Sequence, residues 1–393
     1  MLLVPSTLPL LWLTGLFSLL LLGSGAWLVW EWYDNWAIHL PTNPRYLIWG
    51  IVLLVTAFLG RPLITLLVGR RSRPGEAHMK PLTGGTVHRV VRPDGTQLHV
   101  ESFGPVQAPV LLFTHGWGLS SAEWCYACQH LSERYRLLVW DLRGLGQSAG
   151  PHDHQYGLDR MAGDLNAVLA LADGQPVLLC GHSIGGMTTL TFCGLYPEVL
   201  AAQVAGLILT QTTFTNPVQT ALGAPLNRVL QEPLLRPLCH LTIWLSPLVR
   251  VMSALSLLNG SLTLANHLLQ FKGQETRQQL GFTTALLLWA NPAVVARGML
   301  GMLEYEARAV LPVIPVPTLV IAASSDRATL PAASAYLKAH IPGAEQVMLS
   351  PAGHMGLIEH HEVWASAVDD FAMRCFGSVA SQNAAGGQRF SKR

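Results

Sequence analysis

The chain has 393 residues, half of them hydrophobic and only 12% charged, with a net charge of +2. That is about half the charge soluble domains carry, which points to a membrane-embedded part, and so even a balance excludes a nucleic-acid-binding surface built on basic clusters. Six cysteines in this length do not make a disulfide scaffold; Cys125 and Cys128 form a CxxC, but no second pair stands at zinc-ligand spacing.

Leu8 to Trp30 contains no charge and is long enough to span a bilayer as a helix. A polar turn with Glu31, Asp34, Pro41 and Pro44 follows, and then a second apolar stretch, Tyr46 to Gly69, interrupted by Arg61 and Pro62. Arg61 lies in its final third, where a long side chain can snorkel toward the headgroups. Small residues at 23–26 resemble a signal-peptide cleavage site. The region before them has no Lys or Arg, however, and a second apolar stretch comes directly after, so residues 1–69 read as a two-helix anchor. Trp27, Trp30, Trp32, Tyr33 and Trp36 fit an interfacial aromatic belt, while Arg70, Arg71, Arg73 and Lys80 make residues 70–86 a basic juxtamembrane linker. By the positive-inside rule that side, with everything after it, faces the cytoplasm.

From about residue 87 the texture changes. Residues 87–103 read as two strands joined by a Pro-Asp-Gly turn. Apolar runs at 109–115, 136–141, 176–181, 204–210, 317–324 and 345–350 then alternate with helix-length segments such as 158–172. Continuous apolar runs of this kind suit strands buried on both faces, and the alternation predicts a parallel, doubly wound sheet. About a hundred residues separate the runs ending at Thr210 and starting at Pro317, too many for a loop. They predict a helical lid over about 213–305. The stretch 237–259 has one firm charge, Arg250, and is broken by Pro247, so it reads as an apolar roof over a pocket rather than a third span. The small, polar segment 377–393 reads as a structureless tail.

Two serines sit in a Gly-x-Ser-x-Gly pattern. Ser183 lies between an apolar strand and a helix, flanked by Gly181 and Gly185, as a nucleophile elbow requires. Ser148, between Gly146 and Gly150, follows no strand and precedes a segment, "PHDHQYG", that cannot open a helix; it belongs to a loop. A nucleophilic serine needs a base, an orienting acid and an oxyanion hole. His354 comes just after the last strand and Asp326 just past the one before, both at the sheet edge where open parallel sheets bind ligands. No carboxylate follows the strand ending at Thr210, which leaves Asp326 as the placed acid. The amides of Ile184, opening the elbow helix, and Trp117, in "HGWGLS", are the candidate oxyanion donors. His360 and His361 read as exposed helical residues.

With these motifs and the "DLRGLGQS" loop (141–148), residues 87–376 resemble the α/β-hydrolase superfamily, and most of all its membrane-anchored esterases and monoacylglycerol-lipase-like enzymes. The resemblance implies a mostly parallel eight-stranded sheet with a lid after the sixth strand. It also implies that Asp141 and Arg143 organise a loop rather than catalyse. The elbow serine departs from dehalogenases and epoxide hydrolases, whose nucleophile is Asp. The expected chemistry is hydrolysis of hydrophobic or lipid-like esters through an acyl-enzyme on Ser183, with no metal or organic cofactor. The same triad also serves amide, thioester or carbon–carbon hydrolysis, acyl transfer and perhydrolysis, and a non-enzymatic membrane scaffold on this fold is a further alternative. Nothing in the sequence speaks to oligomeric state.

Overall fold

The computed structural model describes residues 7–72 and 76–390, with Thr7 and residues 379–390 described by backbone alone. Arg73 of the basic run and the last three residues of the tail lie outside the described residues. Eight strands form one sheet: β1 (Thr86–Val91), β2 (Gln97–Phe103), β3 (Val110–Thr114), β4 (Arg136–Trp140), β5 (Val177–His182), β6 (Val204–Thr210), β7 (Thr318–Ala323) and β8 (Glu345–Leu349). Their order is β1-β2-β4-β3-β5-β6-β7-β8. The pairings of β1 with β2 and of β2 with β4 are antiparallel, and all others are parallel. The Pro93-Asp94-Gly95 turn closes the first hairpin, with Gly95 at a φ of 83° that a side chain would resist.

Every residue of β3, β4 and β5 is buried, because both faces of the central sheet are covered. Alternation along the strands divides the core in two. Leu111, Phe113, Val139 and Ile321 face α3 (Cys125–Leu131) and α15 (His361–Phe390), while Leu112, Leu138, Leu179 and Val320 face α4 (Leu158–Leu169), α5 (Ile184–Leu195), α6 (Pro197–Gln203) and α13 (Pro331–His340). Between β6 and β7 six helices are inserted: α7 (Ala224–Leu230), α8 (Arg236–Trp244), α9 (Ser246–Leu258), α10 (Ser261–Gln270), α11 (Arg277–Trp289) and α12 (Pro292–Leu303). The α7–α8 run meets α9 at 96°, just ahead of Pro247, so residues 237–259 bend rather than run straight. A one-turn helix, α14 (Gly356–Glu359), precedes α15.

The two N-terminal helices, α1 (Thr7–Ala37) and α2 (Pro44–Val68), are long and apolar enough to cross a membrane. Their bounds correct the sequence reading. Nothing breaks the helix between Trp30 and Ala37, so Glu31 and Asp34 lie on α1 and the turn is confined to 38–43. The side chain of Asn43 then caps α2 by accepting from the Arg45 amide, and Pro44 takes the first helical position. The two helices cross where a Cβ on Gly50 would come within 3.0 Å of the Gly25 carbonyl, so small residues permit the contact.

The hairpin is also docked on the insertion. Leu8, Leu11, Thr14, Gly15 and Ser18 recur at helical spacing and form a buried face of α1. Trp12 Nε1 donates to Thr242 Oγ1 at 2.8 Å, Asn259 Nδ2 donates to Ser18 Oγ at 2.6 Å, and Gly15 packs on Met252. On α2, Gly60 meets the Asn259 backbone, while Arg277 donates to the carbonyls of Leu66 and Gly69. Arg61 is half-buried beside Gly260 and Gly281 of the insertion, where sequence alone suggested a side chain reaching for headgroups. The outer face of α1, with Leu13, Leu16, Phe17 and Leu20, is exposed and apolar; so are Leu241, Trp244, Leu248 and Val251 on α8 and α9.

The described residues of the linker make packing contacts. Arg70 pairs with Glu76 and Met79 is buried, while Tyr126 and Gln129 of α3 donate to the carbonyls of Ala77 and His78. At the other end α15 continues to Phe390, past the boundary at 377 where the sequence suggested a structureless tail; with no proline after His361, nothing stops the helix.

Candidate active site

Ser183 occupies the turn from β5 into α5 with φ 52° and ψ −117°, a conformation a non-glycine residue adopts only where its surroundings impose it. The surroundings here are backbone. A Cβ on Gly181 would lie 2.5 Å from Gly185, and one on Gly185 would lie 2.1 Å from the Thr114 carbonyl. Thr212 Oγ1 donates to the Ser183 carbonyl at 2.6 Å and ties the elbow to the strand beside it. The two glycines of the motif are therefore steric requirements.

His354 and Asp326 arrive from the loops after β8 and β7. Asp326 Oδ2 lies 2.8 Å from His354 Nδ1, and His354 Nε2 lies 3.0 Å from Ser183 Oγ. Asp326 is fixed in turn: Oδ1 accepts from the amides of Ala328 and Thr329, and Oδ2 from the Thr329 hydroxyl. With Nδ1–H donating to this carboxylate, Nε2 is left to accept the serine proton. Asp326 and His354 are buried and Ser183 is half-buried at the floor of a cavity. Ser148 is spent elsewhere: its hydroxyl donates to the Asp141 carbonyl and accepts from the His99 amide.

Trp117 and Ile184 both border the serine. Among the described residues, neither amide donates to a backbone carbonyl outside the helices and strands. The Trp117 indole donates to the Val295 carbonyl and packs against Gly298, anchoring this loop to the insertion. Asp141 and Arg143 act in loops, as the resemblance implied. Asp141 accepts from the amides of Ser121 and Gln147, and Arg143 clamps Asp164 with two hydrogen bonds.

A second acid–histidine pair lies beneath the first. His182 Nδ1 is 2.5 Å from Glu123 Oε1, and both side chains are fully enclosed. Glu123 Oε2 accepts from the Gly116 amide at 2.8 Å, and His182 Nε2 lies 3.1 Å from the His354 carbonyl. Burial disfavours the ionised Glu123, but His182 outweighs it and holds the carboxyl below its ordinary value. Burial likewise opposes the imidazolium, and Glu123 raises His182 above the usual range. The charged pair thus ties the loop bearing Trp117, the elbow and the loop bearing His354 together. Sequence reading missed it: His182 is an unspecified position of the elbow motif, and Glu123 is a lone acid in an apolar stretch.

Two other expectations need correction. None of residues 237–259 lines the catalytic cavity; its walls from the insertion come from α10, α11 and α12, through Asn266, Leu287 and Met299 among others. The 237–259 stretch packs on the hairpin instead, because Val249 with its neighbours Leu245 and Leu257 buries Leu11 of α1. His361 is not exposed: it stacks on Tyr126 with ring centroids 3.8 Å apart, and burial lowers it to about 4. Cys125 and Cys128 lie buried on α3, and burial pushes both thiols up, Cys125 to about 12.

Sheet, insertion and elbow together define an α/β-hydrolase fold. A family profile described as alpha/beta hydrolase fold matches residues 109–361, and the chain belongs to that family. Among curated relatives, the bifunctional esterase/perhydrolase DCH of Acinetobacter calcoaceticus is 35% identical over 28% of this chain and 40% of its own. Epoxide hydrolase 4 of Mus musculus is 28% identical over 36% of this chain and 40% of its own. The chain therefore spans well under two thirds of these relatives. A putative carbamate hydrolase RutD of Stutzerimonas stutzeri is matched over its full length, at 24% identity and 72% of this chain. Among solved structures, a thermophilic esterase from Thermogutta terrifontis superposes with a TM-score of 0.59 at 24% identity, covering 75% of this chain and 99% of that one. These likenesses show the fold.

Proposed function

We propose that the protein is a membrane-anchored serine hydrolase that cleaves hydrophobic carboxylic esters. The observation that carries this reading is the Ser183–His354–Asp326 alignment at 3.0 and 2.8 Å, at the floor of a cavity to which the membrane helix α1 contributes Leu10. In this reading His354 takes the Ser183 proton as Oγ attacks the ester carbonyl. The amides of Trp117 and Ile184 receive the developing oxyanion, and His354 returns the proton to the departing alcohol. Water, deprotonated by the same histidine, then releases the acid from the acyl-enzyme. A serine at the elbow is at odds with the Asp-nucleophile route of epoxide hydrolases, despite the match to one.

The preference for hydrophobic esters is supported by the apolar surface around the hairpin that reaches the cavity through Leu10. The apolar surface of α8 and α9 lies beside the exposed face of α1, as a membrane-facing substrate route requires. The basic residues 70–80 support an orientation with the hydrolase domain in the cytoplasm. The test is labelling by a fluorophosphonate: wild type and Ser148→Ala react, and Ser183→Ala does not. Labelling that persists in Ser183→Ala refutes the nucleophile. An ester, thioester and carbamate panel on unlabelled wild type, with Ser183→Ala as the blank, then sets the acyl class, the carbamate arm being prompted by the name of the full-length relative.

A further inference from the structure

Two cavities meet at the anchor. The catalytic one, about 100 Å³, has Leu10 of α1 and Leu287 of α11 in its wall. A second, about 20 Å³, is bounded by the same two leucines together with Leu11, Gly118, Leu262 and Val295. Leu10 and Leu287 are the two residues that line both. Every residue around the second cavity is apolar or glycine, so a water there would find no side-chain partner, whereas a hydrocarbon chain would lose nothing by occupying it. They come from elements far apart in sequence: one leucine belongs to the N-terminal hairpin and the other to the insertion.

We propose that Leu10 and Leu287 set the length of acyl chain the enzyme accepts, by closing the catalytic cavity against the apolar space behind it. The membrane hairpin is then part of the substrate-binding surface as well as an anchor. This rests on the ester reading of Ser183. Truncating either leucine joins the two spaces and gives a longer chain somewhere to go. A bulkier residue at 287 shortens the cavity. Each further methylene that becomes seated raises kcat/KM about fourfold, so two more carbons accommodated favour the longer ester by roughly sixteenfold over wild type.

The experiment uses full-length, detergent-solubilised protein and p-nitrophenyl esters from two to sixteen carbons, with fluorophosphonate labelling of Ser183 as the measure of folded sites. Leu287→Ala and Leu10→Ala are expected to move the optimum to longer chains, and Leu287→Phe to shorter ones. Leu59→Ala, on the exposed face of α2, should leave the profile where it was. An optimum that stays fixed in all three cavity variants while Ser183 still labels overturns the partition and leaves the hydrolase reading intact. If wild type neither labels nor turns over any ester, the reading of Ser183 falls, and the partition falls with it.

Discussion

Glu123 is the residue on which three loops converge, so replacing it is a sharp test of how the site is held. Glu123→Gln keeps the shape but removes the anion facing His182, at a position where both partners are fully enclosed. Removing one partner of a buried ion pair costs about 3–5 kcal/mol. For a domain of this size that lowers the melting temperature by roughly 6–10 °C. The loss should depend on pH. Glu123 is held below 4.5, so its share of the stability is complete above that value and fades as pH falls through its native pKa. His182 is raised above 6.5, so its share is complete below that value and fades as pH climbs through its native pKa. The difference between wild type and variant is therefore largest from pH 4.5 to 6.5 and shrinks on either side. Because Glu123 also holds the Gly116 amide, kcat for a short ester should fall about tenfold or more, with KM little changed. The assay is thermal unfolding followed by tryptophan fluorescence across pH 4 to 9, with kinetics alongside. A melting difference that does not vary with pH, or full kcat in the variant, refutes the argument.

In the triad itself, His354→Ala and Asp326→Asn should each lower kcat by roughly 10⁴-fold on an activated ester; near-normal turnover in Asp326→Asn means another group orients the imidazole. Wild type should remain with membranes through high-salt and carbonate washing, and a reporter fused after Arg393 should read as cytoplasmic; a signal from the opposite side overturns the orientation. At the junction of hairpin and insertion, Asn259→Leu removes the buried donor to Ser18, at a cost of about 1–3 kcal/mol. It should lower the melting temperature without changing labelling of Ser183, and an unchanged melt refutes the importance of that contact.

Much of the fold is legible residue by residue. The runs at 109–115, 136–141 and 204–210 become β3, β4 and β6 almost to the residue, because strands buried on both faces must be apolar throughout. The elbow was legible for a steric reason: Gly181 and Gly185 have backbone where a side chain would be. The insertion was legible as a length that had to be filled with helices, but not in how those helices pack. Its apolar stretch 237–259 was legible as something to be buried, but not against what, since a catalytic cavity and a membrane hairpin ask for the same composition. Glu123 and His182 escaped for the opposite reason. Each is a single polar residue whose meaning depends on a partner 59 positions away in the sequence, and no local pattern records that pairing.

The docking of α1 on the insertion also bears on the order in which the protein is made. Trp12 and Thr242 are separated by 230 positions, and Ser18 and Asn259 by 241. The hairpin leaves the ribosome before the insertion does, and in the anchored arrangement proposed above it would reach the lipid while its partner helices are still unmade. The face carrying Leu8, Leu11, Thr14 and Ser18 must wait there, with its hydroxyls satisfied along the helix by the carbonyls of Leu10 and Thr14. When α9 is finally translated, it would then meet a helix already fixed in place. The wall that Leu10 gives to the cavity is thus completed late in synthesis, and a domain made without its hairpin would lack both that wall and the surface on which α9 comes to rest.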